Sequence, residues 1–224
     1  MLSKPVPAWI LFGGFALAAT AGAVNAVGLL GVHHQALAHM SGPLTMLGNE
    51  VARGELRLAI SAGLTVLAFF VGSAASAAII GQATLKLGRR YGVVLMLESA
   101  ALLAAWWGLR HGWMGGEWLA AFACGLQNAM ASTYSGAVIR TTHMTGVVTD
   151  LGMALGHWLG RHPVDRRRVG LYAILLLGFL CGAVAGGFGF ARIGLHALLA
   201  PAVFTGAIGV AYTTYEHLRP RKAD

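Results

Sequence analysis

The sequence predicts an all-α membrane protein with six transmembrane helices and two short interrupted half-helices, built as a 3+3 inverted repeat. Three observations lead there. First, the chain of 224 residues is 57% hydrophobic and 11% charged, with a mean hydropathy of +0.68. Soluble domains carry about 25% charged residues, so a soluble globular domain, a disordered chain and a disulfide-stapled secreted fold are excluded. Second, six apolar stretches are long enough to cross a bilayer. Third, two shorter and more polar segments carry one repeated motif.

A crossing helix needs about 20 apolar residues, because each residue rises about 1.5 Å and the hydrocarbon is about 30 Å thick. The first stretch, residues 8–31, follows a short basic start that resembles a signal peptide. It is too long for a cleaved apolar region, so it reads as a retained span. Residues 39–52 come next and contain His39, Ser41, Thr45, Asn49 and Glu50. That is too short and too polar for an ordinary span, and fits a half-helix or an extra crossing. Spans two, three and four are residues 58–81, 92–110 and 118–139, with Trp106, Trp107, Trp113 and Trp118 around the loop between three and four. Such a cluster matches an aromatic belt at the outer interface.

Residues 143–159 form the second polar segment, with His143, Thr145, Thr149, Asp150 and His157. Spans five and six are residues 169–190 and 195–215. Span five carries Gly178, Gly182 and Gly186 at four-residue spacing. Small residues at that spacing let helices approach closely, inside the bundle or between subunits of a homo-oligomer. Cys124 and Cys181 lie in apolar runs and read as small buried hydrophobes.

Net charge is +8. The basic residues sit in short loops and at the C-terminus, which points to membrane orientation rather than nucleic acid. With six spans and the N-terminus inside, 11 of the 16 basic residues face the cytoplasm and four face outside, while Arg140 ends span four on the inner side. Eight spans would put Lys86, Arg89 and Arg90 outside. The positive-inside rule therefore favours six, with both termini cytoplasmic.

The repeat is the most informative feature. Residues 39–48 read HMSGPLTMLG and residues 143–152 read HMTGVVTDLG, identical at six of ten positions. Upstream, Gly22-Ala-Val-Asn25-Ala26 matches Gly125-Leu-Gln127-Asn128-Ala129 at nearly the same offset. Each half, residues 1–111 and 112–224, is then span, polar segment, span, span. Three spans per half make the second half enter from the opposite side, and interrupted segments at matching positions of inverted halves point to a transport site. Ser41-Gly42-Pro43 can end one helix and start another, with Ser41 as N-cap, and Thr145-Gly146 can do the same. A half-helix start exposes free N–H groups and partial positive charge, which suits an anion or a carbonyl-bearing solute.

The segment GLQNAMASTYSGAVIRTTHMTGVVTDLG, residues 125–152, resembles the second signature of the YoaK-like family of small bacterial membrane proteins, a domain of unknown function. The resemblance extends over nearly the whole chain. It implies six to seven spans and names no substrate. Family members usually carry an acidic residue where this chain has Asn25, and T-G-N where it has Ser41-Gly42-Pro43.

The expected function is a transporter or channel for a small polar or anionic solute. Its site is expected from Asn25, His39, Ser41, Gly42, Thr45, Gln127, Asn128, His143, Thr145, Gly146, Thr149 and Asp150. His39 and His143 either bind solute or hydrogen-bond the backbone at the breaks. Asp150 is either a proton or cation site or a first-turn carboxylate favouring its helix start. Glu98 is expected to snorkel towards the Lys86–Arg90 loop, with a coupling proton site as the alternative, and Glu50 to be solvated or paired with Arg53. No metal or cofactor is expected, since His33, His34 and His39 lack i, i+4 spacing. A membrane enzyme using His and Asp, and a structural or regulatory subunit, are the alternatives.

Overall fold

A computed structural model describes residues 8–31, 34–81, 89–134 and 141–218. They form α1 (Ala8–Leu30), α2 (Ser41–Arg53), α3 (Leu56–Ile80), α4 (Arg89–Arg110), α5 (Gly115–Tyr134), α6 (Met144–Leu159), α7 (Arg166–Ile193) and α8 (Leu199–Leu218), with a 3-10 turn, Gly194–Leu198, between the last two. No strand occurs among the described residues. The expected positions of Lys4, His33, Lys86, Arg140, Arg219, Arg221 and Lys222, and the end of span four beyond residue 134, lie outside them.

Four helical stretches are long and apolar enough to cross a membrane: Leu11–Leu30, Leu56–Ile80, Arg90–Arg110 and Arg166–Tyr215. The last, at 50 residues, would be about 75 Å long as a single rod, more than twice the hydrocarbon thickness. Gly194, at a φ of 58°, and the 3-10 turn divide it into α7 and α8. The helix α5 is not among the four, because Glu117, Gln127 and Asn128 dilute its apolar run.

Local chemistry sets the ends. The helix α2 closes at Gly54, whose φ of 75° lets its N–H reach back to the carbonyls of Glu50 and Val51. At the start of α7 the Asp165 carboxylate accepts from the N–H groups of Arg167 and Arg168. Ser41 does not cap α2 as the sequence suggested. Met40 occupies that position without a side-chain hydrogen bond, and Ser41 is already the first helical residue.

The glycines of span five are buried within the chain. Gly178, Gly182 and Gly186 lie against the backbones of Phe15, Ala19 and Ala23 of α1. Of the two uses the sequence left open for this face, the structure shows the one inside the bundle, so it is not free to receive a second copy. The paired positions ascend together, hence α1 and α7 are parallel. A matching crossing joins α3 and α5, where Gly72 lies against Phe122 and Gly125 against Phe69. These pairs also ascend with Ser61 and Trp118, linked by an indole N–H to hydroxyl bond of 3.4 Å.

The two crossings correspond residue for residue. Gly22 meets the carbonyl of Phe179 as Gly125 meets that of Phe69, and Gly182 meets Ala19 as Gly72 meets Phe122. The helices α4 and α8 run antiparallel. Gly92 and Gly209 lie against each other, while further along α4 the Ser99 hydroxyl donates to the Ala202 carbonyl at 2.7 Å. The helices α1 and α5 also oppose each other. Early in α1, Leu17 accepts from Gln127, late in α5; Val24 and Val27, late in α1, share a cluster with Ala120 and Ala123.

Candidate functional site

After α1 the chain turns back through residues 34–40, and Asn25 holds that turn. Its buried side-chain oxygen accepts from the N–H of Leu37 at 3.1 Å and of Ala38 at 3.0 Å. The second half repeats the device. The Asn128 oxygen accepts from the N–H of Thr142 at 3.4 Å. Two buried or half-buried amides thus supply acceptors to backbone that leaves a helix inside the fold, where an orphaned N–H would be costly.

The two breaks meet at one cavity of about 380 Å³, lined by Ala38, His39, Met40, Ser41, Phe69, Asn128, Thr142, His143, Met144 and Thr145. His39 and His143 interact electrostatically across it. The His39 ring stands edge-on to Phe179 with centroids 5.1 Å apart. Phe69 and Phe179 are the matching residues of the α3/α5 and α1/α7 crossings described above. The His143 ring lies directly over Gly146, where a side chain would strike its Cδ2 and Nε2 atoms.

Both α2 and α6 start at this cavity. The first hydrogen bonds of α2 and α6 are Leu44 N–H to Met40 and Val147 N–H to His143, at 3.1 Å each. The N–H groups of Ser41, Gly42, Met144, Thr145 and Gly146 precede them and have no partner within their own helices. Neither start has a side-chain cap. Two helix N-termini and two imidazoles therefore serve one small space, which concentrates positive potential and donors on whatever occupies it.

Of the expected site residues, His39, Ser41, Asn128, His143 and Thr145 line the cavity. Asn25 lies behind it and holds the break. Gly42 and Gly146 sit in the first turns of the half-helices. Thr45 and Thr149 lie outside the lining, since each hydroxyl donates at 2.9 Å to a carbonyl one turn back, of Ser41 and Thr145. Gln127 bridges α5 to α1 through the Leu17 carbonyl at 2.9 Å. Asp150 lies within electrostatic range of Tyr172 of α7 and is not among the residues that line the cavity. Glu50 pairs with Arg53 at 3.4 Å.

Phe69 was missed in the sequence. Its signal is F-x-x-G at 69–72 and again at 179–182. That offset is longer than the one relating the two breaks, because the loops of the halves differ in length. Glu98 is corrected: it is 1% exposed and does not snorkel. It lies nine residues into α4 from Arg89, about 14 Å along the axis, beyond the reach of a short carboxylate.

Residues 13–211 match the family described as a protein of unknown function, DUF1275. The chain belongs to that family, in keeping with its YoaK-like resemblance. No curated protein and no solved structure matches it.

Proposed function

We propose that this member of the DUF1275 family is a transporter or channel for a small anionic solute, which binds between the two half-helix starts. The observation that carries the reading is the single cavity onto which both uncapped N-termini and both histidines open. Its volume of about 380 Å³ suits a small solute, since water occupies about 30 Å³ in the liquid. Charge selection follows from the lining. N–H dipoles and imidazoles donate, and no carboxylate is among the lining residues.

The reading places six spans in the membrane, with the halves inverted. The helix directions support it: six alternating spans require α1 and α7 parallel, α3 and α5 parallel, and α4 and α8 antiparallel. Eight spans would make α4 and α8 parallel, against their contacts. Access would alternate by rocking one half against the other, as inverted repeats allow.

The test is flux in proteoliposomes of purified protein, with formate, acetate, nitrate and chloride against the neutral probes urea and glycerol. Anion flux is expected to exceed neutral flux at every pH tested. Ser41→Asp and Thr145→Asp put negative charge at the helix starts and should lower anion flux at least tenfold. Flux of neutral probes alone would overturn the anion assignment. Chemical turnover without movement would overturn transport altogether.

A further inference from the structure

A second ionisable group lies in the interior, away from the cavity. Glu98 of α4 is 1% exposed, and its Oε2 atom has no hydrogen-bond partner among the described residues. Cys124 of α5 lies within electrostatic range of it. The neighbouring cluster from the 3-10 turn and α8 is apolar, formed by Ala197, Leu198 and Ala202. Among the described residues no charged side chain faces the carboxyl. The adjacent Ser99 ties α4 to α8 through the Ala202 carbonyl at 2.7 Å. Gly206 packs against Ser99, and Gly92 against Gly209. The α4/α8 crossing that begins at the residue next to the acid is therefore closely packed.

An ionised carboxylate with an unpartnered oxygen in such a place is costly, and membrane interiors hold acids only where they serve a purpose or find a partner. We infer that Glu98 is a proton-binding site, neutral while α4 packs against α5 and α8 and ionised when that packing opens to water. On opening, the carboxyl O–H bond breaks. Its electron pair stays on the carboxylate oxygen and the proton passes to an entering water. Cys124 is one turn before Asn128 on the same face of α5, so a shift of α5 that hydrates Glu98 also moves an amide lining the cavity. Coupling of that proton to solute movement rests on the transport reading; the proton site does not.

Infrared spectroscopy of the full chain in lipid nanodiscs tests the site. The wild type should show a carboxylic-acid carbonyl band at neutral pH that shifts on deuterium exchange, and Glu98→Gln should lack it. Glu50 and Glu117, also buried, are untouched by that substitution. A spectrum unchanged by Glu98→Gln would overturn the proposal. If that variant does not fold, Glu98→Asp decides, since a shorter acid at the same place should shift the band and an unshifted band would overturn the assignment. The band should persist to mildly alkaline pH and resist sodium; its loss on adding sodium at fixed pH would make Glu98 a cation site and overturn the proton assignment. In proteoliposomes a formate gradient should drive proton uptake in the wild type, and Glu98→Gln should abolish that uptake while keeping formate exchange. Absence of formate flux in the wild type with the band present would sink the transport reading and leave the proton site standing.

Discussion

At the scale of single residues, the breaks depend on acceptor oxygens. Asn25 satisfies two buried N–H groups at 3.0 and 3.1 Å, whereas Asn128 satisfies one at 3.4 Å. Leaving a buried donor unpaired costs about 1–3 kcal/mol. Asn25→Ala should therefore destabilise by about 2 kcal/mol or more, and Asn128→Ala by less, as read by thermal unfolding in detergent. Asn25→Asp keeps an acceptor at the same place and should stay close to the wild type. No loss from either alanine variant would show that the amides do not hold the breaks. Which residues hold the breaks was legible because Asn25 and Asn128 recur with their neighbours. That Thr45, Thr149 and Asp150 face elsewhere was not, because hydroxyls one turn into a helix bond its own carbonyls and sequence spacing does not show that choice.

At the scale of elements, two parallel helix crossings carry the bundle, and glycine makes both. An added Cβ on Gly182 would collide with the backbone of Ala19, and one on Gly72 with that of Phe122. Backbone in a packed helix cannot step aside as a side chain can, so Gly182→Ala and Gly72→Ala should each cost about 1–3 kcal/mol from overpacking. Gly48, mid-helix in α2, has open space around it. There Gly48→Ala should stabilise, by about 0.5–1 kcal/mol. Unfolding temperatures of the three variants in one detergent check the contrast, and equal values would mean that the crossings tolerate separation. The apolar runs foretold these helices to within a few residues at most ends, because length and hydropathy decide where a chain can cross a bilayer. Which helix each glycine row meets was not legible, since 32 glycines offer many rows of the right spacing and only the fold selects among them. Glu98 failed for a related reason: proximity in sequence to a basic loop says nothing about which face of α4 turns inward.

For the whole molecule, the question is whether the halves stand opposite ways up. In the six-span arrangement the chain enters from the cytoplasm, crosses in α1, and turns from α2 into α3 at Gly54-Glu55 on the outer side. The turn from α6 into α7, at residues 160–165, then faces the cytoplasm. With eight crossings both turns would lie inside. The two halves share their glycine crossings and their amide-held breaks, and those contacts alone do not say which side is which. Residue 55 and residue 162 report it directly. Glu55 and His162 are exposed, so cysteine at either place should leave the fold intact. Cys124 and Cys181 must first be replaced by alanine, since both are free thiols. In intact cells a membrane-impermeant maleimide should label Glu55→Cys and spare His162→Cys. In inside-out vesicles the preference should reverse. Labelling of both from one side would place the halves the same way up; the two half-helices would then enter from one face, and a site at the bilayer midplane between opposed N-termini would no longer be supported.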